Sequence, residues 1–173
     1  GQSRAIVADA KRRFRLHNAG RRHVENSVYA TLAESARIPV EAHEVRERIR
    51  KAPEVREALD RMWPVLSPAE FLHALSGSPA LIDLAAGAEG HRRPLLDDDE
   101  RKALHRPRGA GRPDELTWTV DDVPLLDEAA AILGPTPKAK RGGADEDVRT
   151  YGHIVVDEAQ DLSPMQLRML NRR

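Results

Sequence analysis

Apolar residues recur at helical spacing through most of the chain. Such residues lie four positions apart at Val24, Val28 and Leu32, at Val45 and Ile49, and at Val55 and Leu59. Residues at this spacing share one face of an α-helix, so each run predicts a short amphipathic helix. Mixed charges from 44 to 51 fit the solvated faces between the apolar positions. The first part of the chain is therefore predicted to be mainly α.

Local capping signals mark where several of these helices begin. Ser67-Pro68-Ala69-Glu70 is a capping box with proline at the first helical position, and Ser78-Pro79 opens another helix. The acids from 97 to 100 lie where a helix dipole favours negative charge. Adjacent acids can also hold a metal ion, but further ligands at loop spacing are missing from this sequence, which favours the helix start.

The pattern changes after residue 134. A last helix is predicted to begin at Thr119 or Asp121 and to end at Gly134-Pro135, because glycine and proline terminate helices. A polar stretch rich in helix breakers follows, and a second loose stretch spans 106–113. We therefore predict a helical domain over 1–134, a flexible linker over 135–147 and a separate segment over 148–173.

That last segment carries a strand-like run followed by acids. The run His153-Ile154-Val155-Val156 has the apolar character of a buried strand, and the pentad Asp157-Glu158-Ala159-Gln160-Asp161 follows it directly. Behind the pentad, Ser163, Pro164 and Gln166 form another capping box. The sequence therefore predicts a β–α unit with two adjacent acids at the junction between strand and helix.

Two acids in this position suit nucleotide chemistry. Open parallel sheets bind ligands beyond the carboxyl ends of their strands, where Asp157 is predicted to lie. A carboxylate there can join the shell of Mg²⁺, and Glu158 can orient a water for attack on a terminal phosphoryl group. The alternative is an ordinary strand–turn–helix with solvated acids. The complete pentad, with a strand before it and a capped helix after it, favours the nucleotide site.

Residues 151–173 resemble the Walker B segment (motif II) of superfamily 1 helicase-type ATPases of the UvrD/Rep group. The resemblance implies a RecA-like α/β P-loop NTPase domain that uses ATP and Mg²⁺. It implies that Asp157 is the Mg²⁺ ligand and Glu158 the catalytic base. Gln160 is implied to contact the γ-phosphate or the element that senses it. Asp161 matches the motif, and the resemblance implies a structural role for it.

Further segments are similar to the HelD/HelR family within this superfamily. They are Trp63-Pro64-Val65-Leu66-Ser67-Pro68, Trp118-Thr119 with 122–129, and the flanks of the pentad at 151–153 and 162–166. This resemblance implies a motor that binds RNA polymerase, displaces nucleic acid from it and recycles stalled or antibiotic-bound polymerase. A helical insertion in the first RecA-like domain is implied to face the polymerase. The alternative is a UvrD-like DNA helicase whose insertion binds single-stranded DNA.

One expected motif is missing from the sequence. No Gly-x-x-x-x-Gly-Lys-Ser/Thr occurs, and Gly109-Ala110-Gly111 and Gly142-Gly143 are too short to replace it. We therefore expect the chain to be an internal part of a longer motor, between Walker A and a point just past Walker B. By itself it is expected not to hydrolyse ATP. A binding module with a degenerate ATPase remnant is a third interpretation, which the intact Asp157-Glu158 pair disfavours.

Composition narrows the function classes further. The formal net charge is +0, so bulk charge does not favour nucleic-acid binding, and aromatic residues make up only 3%. The chain has no cysteine, which excludes disulfides and fits a reducing cytoplasm. No apolar stretch has the length of a membrane span, so we expect a cytoplasmic protein without a membrane partner. Trp63 and Trp118 are predicted to anchor the core.

The N-terminal stretch is an exception to the balanced charge. Its basic residues, opposed only by Asp9, are Arg4, Lys11, Arg12, Arg13, Arg15, Arg21 and Arg22. They predict a track for the phosphates of DNA, or alternatively a solvated helix face or a surface for an acidic protein partner. The seven histidines show no pair at i,i+4 spacing with a third ligand, so isolated or packed histidines are predicted rather than a zinc site.

Overall fold

A computed structural model describes residues 1–87, 95–107, 117–136 and 150–173. Its helices are α1 (Gln2–Arg13), α2 (Arg21–Glu34), α3 (Ala42–Ile49), α4 (Pro53–Met62), α5 (Pro68–Ser76), α6 (Pro79–Ala85), α7 (Asp98–Leu104), α8 (Val123–Leu133) and α9 (Pro164–Leu170). Within these four ranges no residue belongs to a β-strand. The prediction of a mainly α chain is confirmed. No helix in the described ranges is long and apolar enough to cross a membrane.

The chain forms two compact units. The first contains Gly1–Leu66 and Ala131–Asp145, and the second contains Ser67–Ala130 and Glu146–Arg173. Each unit is defined by contacts within it. The predicted boundaries at 134 and 148 are not tested by this division and stay a prediction. Most of the predicted linker lies outside the described residues, and so do both glycine pairs that were compared with a phosphate loop.

The helix caps form as the sequence predicts. Ser67 Oγ accepts the amide of Glu70 at 3.2 Å, and the Glu70 carboxylate accepts the amide of Ser67 at 2.7 Å. Asp97 caps α7 in the same way, with Glu100 as its partner. The acids from 97 to 100 thus serve a helix start. At the end of α8, Gly134 takes a positive φ of 73°, a conformation that glycine adopts without a steric penalty.

Trp63 anchors the core of the first unit, as predicted. Its side chain is buried against Ala10 and Val24. The ring of His17 stacks on the indole, with centroids 4.7 Å apart and planes 7° apart, and the indole Nε1 donates to the His17 carbonyl at 2.8 Å. A Cβ at Gly20 would lie 2.8 Å from the indole, so glycine is needed at that position. His17 is therefore a packed histidine.

Asn18 is a buried polar residue that ties distant segments of the first unit together. Its Nδ2 donates to the carbonyl of Leu66 at 2.9 Å and to that of Gly134 at 2.8 Å. Its Oδ1 accepts the amide of Leu66 at 3.1 Å. One carboxamide thereby fixes the segment after α4 and the end of α8 against the start of α2.

Asp122 plays the corresponding role in the second unit. Its buried carboxylate accepts hydrogen bonds from Arg106 Nη2 at 2.7 Å, from the Thr119 amide at 2.9 Å and from the Thr119 hydroxyl at 2.8 Å. The bond from Arg106 is the largest cause that lowers the pKa of Asp122 to about 2. Trp118, predicted as a core anchor, is only partly buried and lines an apolar cavity of about 380 Å³.

Replacing Asp122 with Asn should lower the free energy of unfolding at neutral pH by about 2 kcal/mol, because the ionised acceptor of three hydrogen bonds is lost. The folded pKa lies below the ordinary value, so the carboxylate stabilises fully above about pH 4 and loses its effect as the pH falls through about 2. Urea denaturation at several pH values should therefore show a difference between wild type and variant that narrows on acidification.

Asp121→Asn is the matched control for this prediction. Asp121 is the exposed neighbour, and no hydrogen bond or ion pair to its carboxylate occurs among the described residues. Its replacement should change stability little at any pH. A difference between wild type and Asp122→Asn that stays constant from pH 7 to acid would contradict the assigned role.

Candidate functional site

The run in front of the pentad is not a strand among the described residues. Residues 153–156 have no regular secondary structure, and Ile154, Val155 and Val156 are 40%, 82% and 38% exposed. A strand of a parallel sheet forms its hydrogen bonds with neighbouring strands, and the described ranges contain no such neighbouring strand. The predicted β–α unit is therefore confirmed only in its helical half.

The pentad forms a tight exposed turn that runs directly into α9. Glu158 has φ 52° and ψ 39°, and it is the one non-glycine residue with positive φ in the described ranges. The Asp157 carboxylate accepts the amide of Glu158 at 2.9 Å, and the Glu158 carbonyl accepts the amide of Asp161 at 2.9 Å. A left-handed glutamate costs backbone energy and is therefore held by its surroundings.

The turn brings the predicted site residues together. Gln160 Nε2 donates a hydrogen bond to the Glu158 carboxylate. Asp157 adjoins Glu158 and, like the rest of the pentad, is exposed. The side-chain amide of Gln160 therefore fixes one oxygen of Glu158, the predicted base. The carboxylates of Glu158 and of Asp157, the predicted Mg²⁺ ligand, are both exposed. Their roles in catalysis stay predictions.

The residues fit one half of a Mg²⁺–nucleotide site. Asp157 offers a carboxylate oxygen, the kind of ligand that Mg²⁺ prefers, and one or two carboxylates plus substrate phosphates usually suffice. In the part of the chain that the structure describes, no three His, Asp or Glu residues group to hold a metal ion by themselves. The remaining ligands would have to come from phosphates and water, and the sequence has no loop to hold those phosphates.

The helix behind the pentad is capped and then anchored. Ser163 and Gln166 form the predicted capping box, with Ser163 accepting at 3.3 Å and Gln166 accepting at 2.7 Å. Further along, Arg168 pairs with Glu128 of α8 at 2.7 Å, and Arg172 pairs with Asp127 at 2.6 Å and also with Glu128. The sequence analysis missed these ion pairs, although arginines at i,i+4 spacing were a signal for one charged helix face.

The two ends of the segment 151–173, which carries the pentad, contact each other. The amide of Tyr151 donates to the carbonyl of Arg173, and the Arg173 guanidinium pairs with Asp127. Arg173 Nη1 is buried and has no partner among the described residues. Both ends of 151–173 thus meet beside Asp127.

The N-terminal basic residues differ in their availability. Arg21 is largely buried and pairs with Glu25 and Asp60, each at 2.7 Å. Arg12 and Arg13 pair with Asp9, and the hydrogen bond from His23 is the largest cause that lowers the pKa of Asp9. In the described residues the exposed cations without a carboxylate partner include Arg4, Lys11, Arg15 and Arg22.

The chain matches no protein-family model and no curated protein. The candidate site therefore rests on Asp157, Glu158 and Gln160, which belong to the pentad and occupy one turn.

The left-handed conformation of Glu158 makes a prediction about stability. Glu158→Gly and Glu158→Ala both remove the hydrogen bond to Gln160, but only glycine tolerates positive φ freely. The glycine variant should be more stable than the alanine variant by about 1 kcal/mol in urea denaturation. At Asp157, which has no positive φ, the same pair of substitutions should give the opposite order. Equal stabilities at 158 would contradict the turn geometry.

Proposed function

We propose that the chain carries the Walker B segment of an ATP-driven superfamily 1 motor of HelD type. Such a motor binds RNA polymerase in the cytoplasm and displaces nucleic acid or recycles stalled or inhibited polymerase. The observation that carries the proposal is the complete pentad in an exposed turn, with Glu158 hydrogen-bonded to Gln160, at the start of a capped helix.

Each residue of the turn has a role in the proposed site. Asp157 would hold Mg²⁺, which supplies charge neutralisation at the phosphates of ATP. Glu158 would orient the attacking water as catalytic base, and Gln160 would fix Glu158 and contact the γ-phosphate. Their exposure supports this, since a nucleotide must reach both carboxylates. The proposal requires a phosphate loop from residues outside this sequence.

The exposed apolar run at 154–156 also supports a RecA-like β–α unit. Three adjacent apolar side chains in water are unfavourable, and strands buried on both faces of parallel sheets have this composition. Pairing with neighbouring strands of a complete ATPase domain would bury them. The proposed strand would then end at Asp157, at the ligand-binding edge of the sheet.

Several segments that resemble HelD contain residues that stabilise one of the two units. Trp63 anchors the first core, and Leu66 bonds to Asn18. In the second unit, Thr119 donates its amide and hydroxyl to the buried carboxylate of Asp122. Resemblance at residues that have structural roles supports a shared helical fold. This supports the proposal that the helices are the insertion through which the motor engages polymerase.

A second candidate is a UvrD-like DNA helicase whose insertion binds single-stranded DNA. The observation in its favour is the set of exposed, unpaired cations at Arg4, Lys11, Arg15 and Arg22, which suit phosphates. Arg21 does not belong to this set, because moving it onto a phosphate would break its pairs with Glu25 and Asp60.

In the full motor, Glu158→Gln should lower ATP turnover at least about a hundredfold while leaving nucleotide affinity nearly unchanged, since glutamine cannot act as a base. Asp157→Ala should weaken Mg²⁺-dependent binding as well. Phosphate release and equilibrium binding of a labelled nucleotide measure the two effects. Glu57→Gln, an exposed change on α4, is the control with expected normal turnover. Normal ATP hydrolysis by the Glu158→Gln variant would contradict the role of Glu158 as catalytic base.

A further inference from the structure

Three arginines at the end of the chain converge on two acids of α8. Arg168 and Arg172 lie four residues apart and therefore share one face of α9 and its continuation. Both contact Glu128, while Arg172 and Arg173 contact Asp127. We refer to these five residues as the charge cluster.

The charge cluster is partly buried. The side chains of Asp127 and Glu128 are 8% and 20% exposed, and those of Arg172 and Arg173 are 25% and 27% exposed. Charges withdrawn from water interact strongly, and removing one partner leaves the other uncompensated. Arg168, the member on α9 itself, is 64% exposed, so the anchoring rests mainly on Arg172 and Arg173, which directly follow α9.

A short chain of contacts leads from this cluster to the predicted base. The Ser163–Gln166 capping box ties α9 to the residues just before it. From there, the amides of Leu162 and Asp161 bond back to the carbonyls of Ala159 and Glu158 at 3.3 and 2.9 Å. The turn that presents Glu158 is thus joined by hydrogen bonds to the residues at the start of α9.

The other flank of the pentad reaches the same cluster. The amide of Tyr151 bonds to the carbonyl of Arg173, whose guanidinium is held by Asp127. The segment 151–173 is therefore a closed loop whose base is fixed to α8. A shift of Asp127 or Glu128 would move both flanks of the turn together.

We propose that Asp127 and Glu128 are positioning residues for Glu158. They hold the base in register through Arg168 of α9 and through Arg172 and Arg173, which follow α9. This rests on the proposed ATPase function. It makes α8 the element through which the helical part of the second unit sets the rate of hydrolysis. A partner that displaces α8 would then change ATP turnover without touching the nucleotide.

A double-mutant cycle in the full motor tests this. Glu128→Gln and Arg172→Gln should each lower kcat for ATP hydrolysis by about tenfold to about a hundredfold, as expected when a catalytic group is misplaced. The KM for ATP should stay within about twofold, because neither residue contacts the nucleotide. The double variant should lose no more than the worse single variant. Arg172→Lys keeps the charge but cannot contact Asp127 and Glu128 with two separate nitrogens. Its kcat should therefore lie between those of wild type and Arg172→Gln.

The possible outcomes distinguish failure of the positioning role from failure of the proposed ATPase function. Multiplying losses in the double variant, or a raised KM with normal kcat, would overturn the positioning role. If Glu158→Gln abolishes turnover while the cluster variants hydrolyse normally, only the positioning role fails. If Glu158→Gln itself hydrolyses normally, the ATPase proposal fails first. Should a glutamine variant unfold, as thermal melting would report, Glu128→Asp and Arg172→Lys carry the cycle, and full kcat in both would overturn the proposal.

Discussion

Two buried polar side chains, Asn18 in the first unit and Asp122 in the second, determine how the short helices of each unit are arranged beside its apolar core. With aromatic residues at 3%, the first unit centres on one tryptophan, and Asn18 closes it with three hydrogen bonds to Leu66 and Gly134. In the second unit Asp122 joins Thr119 to Arg106. A buried polar group left unpaired is costly, so these bonds select one arrangement of short helices that would be marginal alone.

Polar contacts also position the candidate site. The turn that holds Asp157, Glu158 and Gln160 is exposed, and its side-chain hydrogen bonds lie within the turn itself. Its place is set by α9 and, through the arginines, by Asp127 and Glu128. In the proposed motor, the chemistry of this turn and its positioning would lie in different elements. Such separation is what a motor needs if a partner is to control hydrolysis at a distance.

Local signals were readable from the sequence, and long-range ones were not. The caps at Ser67 and Ser163 depend on neighbours three residues away and form as predicted. The helix start predicted at the acids 97–100 also forms, with a capping box between Asp97 and Glu100 that was not predicted. Asn18 bonds to residues 48 and 116 positions away, which no local pattern indicates. The strand at 153–156 depends on pairing partners that the described residues lack, and a left-handed glutamate at 158 runs against its residue type.

We propose that the helical part binds RNA polymerase, and a competitive binding experiment tests this most directly. The chain is immobilised and offered core RNA polymerase with excess single-stranded DNA over a range of salt. The account predicts that polymerase is retained despite the DNA, with a shallow salt dependence, and that Arg4→Gln with Lys11→Gln leaves retention unchanged. Loss of polymerase together with capture of DNA, steeply weakened by salt and by those substitutions, would contradict it and favour a DNA helicase.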